Sequence, residues 1–127
     1  MHRYQKDIIL KRETEPMPYD LSELRKMSNN DETFVKQTLN IFIENSEEAI
    51  RVFNQSLAEE NWKKIGEMAH KILPSCRHLA INSIVQNLVE IKTKTIIHED
   101  HEEIAQLVKE TVEEMENVIM NMRGELK

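Results

Sequence analysis

Glycine and proline are scarce in this chain, with two and three copies in 127 residues, and aromatic residues make up only 5%. Few helix breakers and few strand-favouring rings, against a background rich in Glu, Lys, Leu, Ile and Met, favour helix over sheet. The same scarcity excludes a Gly-rich phosphate loop, and neither a Walker motif nor a kinase signature occurs, so the chain is not expected to bind ATP itself. One cysteine, Cys76, excludes an internal disulfide framework and fits a reducing compartment. No apolar run is long enough to cross a bilayer, and the first ten residues, MHRYQKDIIL, lack the apolar core of a signal peptide. The chain is therefore expected to be cytoplasmic and without direct membrane contact, although a parent protein could be anchored in an inner membrane. Basic residues are outnumbered, and a net charge of -6 argues against a general nucleic-acid binder, whose affinity would come from Lys and Arg neutralising phosphates.

The charge is unevenly placed. Glu99 to Glu116 contains eight acidic residues and one lysine, whereas Lys63 to Arg77 contains four cations (Lys63, Lys64, Lys71, Arg77) and one anion, Glu67. A basic island in an acidic chain suits an anionic ligand or an acidic partner.

Residues 1–18 show no sustained period, and Lys11 to Pro18 reads as a polar linker closed by two prolines. The expected division is a linker or tail over 1–18 and one domain over 19–127. Asp20 is placed to cap a short helix, and Asp31 to cap the next. From Glu32 to about Ala58, Val35, Leu39, Phe42, Ser46, Ala49 and Phe53 recur at helical steps. A second stripe runs Trp62, Ile65, Ala69, Ile72, Cys76 and Leu79, a third Ile84, Leu88 and Ile91, and a fourth from Ile104 to Met122. Four long amphipathic stripes with short connections predict an all-α protein, an antiparallel four-helix bundle with a short N-terminal lid helix.

On the second of these helices, each residue advances about 100°, so Gly66 and Pro74 lie about 40° from His70, and Lys63 and Arg77 about 20° from it. One exposed stripe thus holds Lys63, Gly66, His70, Pro74 and Arg77, with Ala69 and Ile72 turned to the core. A neutral imidazole, whose unperturbed pKa is about 6.5, is a competent nucleophile near neutral pH. Lys71 and Arg77 are the candidate cations for a phosphoryl charge, and Lys63, Gly66, Glu67, Pro74 and Ser75 the candidate docking face.

The run Ala69-His70-Lys71-Ile72-Leu73-Pro74-Ser75-Cys76-Arg77-His78-Leu79-Ala80 resembles the signature of histidine-phosphotransfer (HPt) domains. Ala69, His70, Ile72, Ser75 and Leu79 match the pattern. Leu73 stands where the family commonly has Lys, Pro74 where it has Gly, and Ala80 where it has the closing Gly. The resemblance implies a phosphorelay intermediate: His70 accepts a phosphoryl group from a receiver-domain aspartate and passes it to another receiver, which supplies the Mg²⁺. It also implies response-regulator receiver domains as partners, no cofactor in this chain, and a parent that is a hybrid sensor histidine kinase. A monomer is expected for the isolated domain. Pro74 removes the amide that would bond the His70 carbonyl and is expected to bend or loosen the helix there.

Plainer readings exist for each of these residues. The cations can be a solvated face, and Gly66 a tolerated helix glycine. His98, His101 and Glu102 make a weak metal set without a third firm ligand, so no metal site is expected. His78 reads as a boundary residue, and Cys76 as an inert small hydrophobe. The competing function is a non-catalytic helical adaptor that docks receivers without carrying phosphate.

Overall fold

The computed structural model describes residues 18–97 and 100–127. The expected linker over 1–18 thus lies, but for its last residue, outside the described residues, as does His98. Five helices follow in order: α1 Ser22–Met27, α2 Glu32–Ala58, α3 Trp62–His78, α4 Asn82–Ile96 and α5 His101–Leu126. No strand occurs among the described residues.

Each start has a local cause. Asp20 Oδ1 accepts from the Ser22 amide at 2.9 Å, Asp31 Oδ1 from Phe34 at 3.2 Å, Asn61 Oδ1 from Lys64 at 3.1 Å and Asp100 Oδ1 from Glu102 at 2.9 Å. These side chains satisfy amides that the first helical turn leaves orphaned. α4 differs: Ile81 sits at its N-cap with no side-chain cap, and Ile81 is fully buried. Burial there does the anchoring that a polar cap does elsewhere.

The helix ends share one solution. At the ends of α1, α2 and α3 the residues Asn29, Glu60 and Ala80 take φ of 56°, 53° and 53°. Behind each, an amide reaches back five residues: Asn30 to Arg25 at 2.7 Å, Asn61 to Ser56 at 2.8 Å and Ile81 to Cys76 at 3.0 Å. This is the left-handed closure for which glycine is usual, built here three times without one. Ala80, at the closing-glycine position of the signature that this run resembles, therefore keeps the turn while carrying the left-handed conformation's cost of about 1–2 kcal/mol.

The long helices pack round a ring, α2 on α3, α3 on α4, α4 on α5 and α5 back on α2, with the α3–α4 pair the most extensive. Connections of three residues, and of four between α4 and α5, make consecutive neighbours antiparallel, so the molecule is the four-helix bundle its stripes predict. α1 closes one end: Tyr19, Leu21 and Leu24 are buried, the Asp20 amide donates to the Leu79 carbonyl at 3.0 Å, and Arg25 Nε meets Glu32 at 3.1 Å. On α3 the inward residues are Ile65, Ala69, Ile72, Leu73 and Cys76. Each large aliphatic buried there contributes about 1.5–3 kcal/mol, which is what holds the opposite face of α3 outward.

α3 runs unbroken through Pro74. The expected loosening does not interrupt the helix; Pro74 is exposed, so water can reach the backbone on that side in place of the missing amide.

Candidate functional site

Because α3 buries Ala69 and Ile72, His70 falls on its solvent side and is exposed. Lys63, Glu67, Lys71, Pro74 and Arg77 are exposed with it, while Gly66 and Ser75 are half-buried. Within this group Lys63 Nζ stands 3.9 Å from Glu67 Oε1, a loose surface pair.

The stripe has a different landscape on each side. Toward α4 lies a cleft of about 520 Å³, lined by Trp62, Lys63, Gly66, Glu67 and His70 from α3 and by Lys92, Thr95 and Ile96 from α4. Gly66 makes this close approach possible: a methyl in its place would overlap Thr95 Oγ1 and stand 3.1 Å from Thr95 Cβ. Thr95 Oγ1 in turn donates to the Lys92 carbonyl at 3.0 Å. Ile96 in the lining and Ile97 after it are exposed apolar residues, 67% and 55% accessible.

Toward α2 the surface is shallower. Lys71 shares a small groove of about 100 Å³ with Asn45, Glu48, Met68, Ile72 and Ser75. The Arg51 guanidinium, bonded to Glu48, holds that carboxyl below the usual carboxylate range, and Lys71 and Lys64 add smaller pulls in the same direction. Further along, Pro74, Ser75 and His78 border a groove of about 270 Å³ with Thr38, Ile41, Phe42 and Asn45. Arg77 lies two turns beyond His70, about 10 Å along the axis.

The residues expected from the sequence therefore divide. Lys63, Gly66, Glu67 and His70 share the α4-side cleft, Lys71 and Ser75 belong to the α2 side, and Pro74 and Arg77 continue the stripe toward the end of α3. Leu73, at the family's lysine position, is buried in the core. Lys92, Thr95 and Ile96 are cleft residues that sequence reasoning missed, as is Trp62, which it placed only on the inward stripe. The third stripe, Ile84, Leu88 and Ile91, implied that Thr95 faces inward; nothing local to α4 says which residue of α3 it meets.

Among the described residues no group of three His, Cys, Asp or Glu is placed to share a metal ion. The His101 ring instead stacks on Trp62, centroids 4.3 Å apart and planes at 16°. Cys76 is fully buried, and burial pushes its thiol up to about 12, so it is no nucleophile at neutral pH. No described helix is long and apolar enough to cross a membrane.

Comparison with curated proteins and with solved structures returns no match. Comparison with protein families returns one, the Hpt domain, over residues 37–123, a span that contains α3, α4, the cleft and nearly all of α2 and α5. A helical bundle with an exposed histidine on its second long helix, matched to one family over more than half its length, belongs to the Hpt domain family, whose members serve phosphotransfer in His–Asp phosphorelays.

Proposed function

We propose that His70 is the phosphoryl acceptor of this domain and that it exchanges the group with receiver-domain aspartates. The observation that carries this reading is the placement of His70: an exposed imidazole in the middle of a cation-bearing stripe, beside a cleft that Gly66 opens. His78, the other described histidine of α3, ends the helix beside the shallow α2 groove. In the forward step the free ring nitrogen of neutral His70 attacks phosphorus. An N–P bond forms as the P–O bond to the aspartate breaks, the electron pair returns to the aspartate carboxylate, and the other ring nitrogen keeps its proton. The return step is the reverse with a second aspartate. The aspartates and the Mg²⁺ belong to the receivers on this reading. Lys63, Lys71 and Arg77 supply a positive field that favours an anionic partner surface, and Gly66, Glu67, Pro74 and Ser75 form the ground on which a receiver rests.

The test is incubation with a phosphorylated receiver and Mg²⁺. Acid-labile, base-stable label is expected on the parent chain and on His78→Gln, and none on His70→Gln, whose fold should be unaffected because the ring is exposed. Equal labelling of His70→Gln and parent would overturn the assignment. Receiver binding with the label confined to the receiver would identify an adaptor that docks without accepting phosphate.

A further inference from the structure

We propose that the cation facing the phosphoryl group on His70 is Lys92 of α4, a residue outside the histidine's own helix. This inference rests on the His70 reading above and adds the group that would stabilise the transferred charge.

Three observations converge on Lys92. The first is register. Gly66 lies against Thr95, and α3 and α4 run antiparallel, so one turn onward in α3 comes level with one turn backward in α4. Four residues on from Gly66 is His70; three residues back from Thr95 is Lys92. Ile91, the alternative at that level, is fully buried, which leaves Lys92 on the cleft side, half-buried and lining the same 520 Å³ space as His70. The second is availability. Among the described residues no carboxylate pairs with Lys92, whereas Lys63 meets Glu67 and Lys71 lies beside Glu48. The third is the lack of a rival on α3. Leu73 is buried, Lys71 stands about 100° round the helix from His70, and Lys63 and Arg77 are each two turns away, about 10 Å along the axis. The charge that α3 lacks within one turn on the histidine's face is present across the cleft.

The chemistry suits the position. A phosphoryl group on His70 carries negative charge into a space walled by Trp62 and Ile96, where an ammonium loses part of its competition from water and a charge-assisted contact strengthens. A lysine that lines the cleft from a half-buried position can lay its stem along the helix surface and bring its head to the group on His70.

Phosphoramidate tests this without any receiver. The imidazole nitrogen forms the new N–P bond, the donor's N–P bond breaks, and ammonia leaves with the electron pair and a proton. Labelling of the whole chain would be followed by mass mapping of the site, with His70→Gln as the blank. Lys92→Gln should slow labelling at His70 by about tenfold or more, tenfold being about 1.4 kcal/mol in the barrier. Lys92→Arg should recover most of the rate, and Lys109→Gln, a charge loss on exposed α5, should match the parent. Thermal melting of all three should stay at the parental value. Parental rates in Lys92→Gln would overturn the inference while leaving His70 in place, and so would a loss that Lys92→Arg does not rescue or that tracks a lowered melting point. A parent chain that takes no label at His70 would overturn the His70 reading, and this inference with it.

Discussion

Gly66→Ala probes the contact that sets the α3–α4 spacing, and it places two effects of opposite sign in competition. In a helix interior, Ala for Gly gains about 1 kcal/mol. Against this, the new methyl would overlap Thr95 Oγ1 and stand 3.1 Å from Thr95 Cβ. Thr95 has little room to retreat: it is 9% exposed, branched at Cβ, and tied by Oγ1 to the Lys92 carbonyl at 3.0 Å. Overpacking of this kind costs about 1–3 kcal/mol, so the clash outweighs the propensity gain and a net loss of about 1 kcal/mol is expected. For a domain of this size, that lowers Tm by roughly 4 °C. In a Thr95→Ala background the hydroxyl and the γ-methyl are gone and only the 3.1 Å Cβ contact remains, which the smaller side chain can relieve by a slight shift, so the same Gly66→Ala change should become neutral or stabilising by up to about 1 kcal/mol. A double-mutant cycle by urea denaturation should return a coupling of about 1–2 kcal/mol. If Gly66→Ala raises Tm with Thr95 intact, or the coupling falls below about 0.3 kcal/mol, the close approach is not what requires glycine.

Pro74→Ala should raise stability, because α3 continues through this position and regains the amide; about 3 kcal/mol is the upper bound, and an unchanged or lowered Tm would mean that the ring costs nothing there. The same variant should alter the kinetics of transfer to a receiver, since Pro74 is exposed on the His70 stripe; parental kinetics with every cognate receiver would remove it from the docking ground. Ala80→Gly relieves a left-handed alanine worth about 1–2 kcal/mol but frees the unfolded chain by about 0.4–1 kcal/mol, for an expected net gain near 0.5–1 kcal/mol by chemical denaturation. Cys76 should resist a thiol reagent at pH 8 until the protein unfolds, because the group is buried and its ionisation is pushed up to about 12; prompt stoichiometric reaction of the native protein would refute its burial.

Most of the architecture is readable along the chain because helix formation is local. A rotation of about 100° per residue assigns Val35, Leu39, Ala49 and Phe53, or Ile65, Ala69, Ile72 and Cys76, to one face without knowledge of any partner. The same rotation turns His70 outward. Asp20 and Asp31 announce their helix starts through side-chain chemistry that acts within three residues. Ala80 and Glu60 are less legible: they close helices where glycine is usual, and the buried or capping residue that follows, Ile81 or Asn61, stabilises the turn from outside it.

What the sequence by itself determined is the set of helices, their inward faces, and an exposed histidine amid cations in a run that resembles the HPt signature. What only the tertiary structure decided is the neighbourhood across helices. It sorted Lys71 to the α2 side beside Glu48, buried Leu73, set Thr95 against Gly66 and brought Lys92 level with His70. The physical reason is register. Along one helix, separation follows from residue count, but between two helices it follows from which side chain leaves room for which, and here a missing Cβ at Gly66 and a threonine on α4 settle that match.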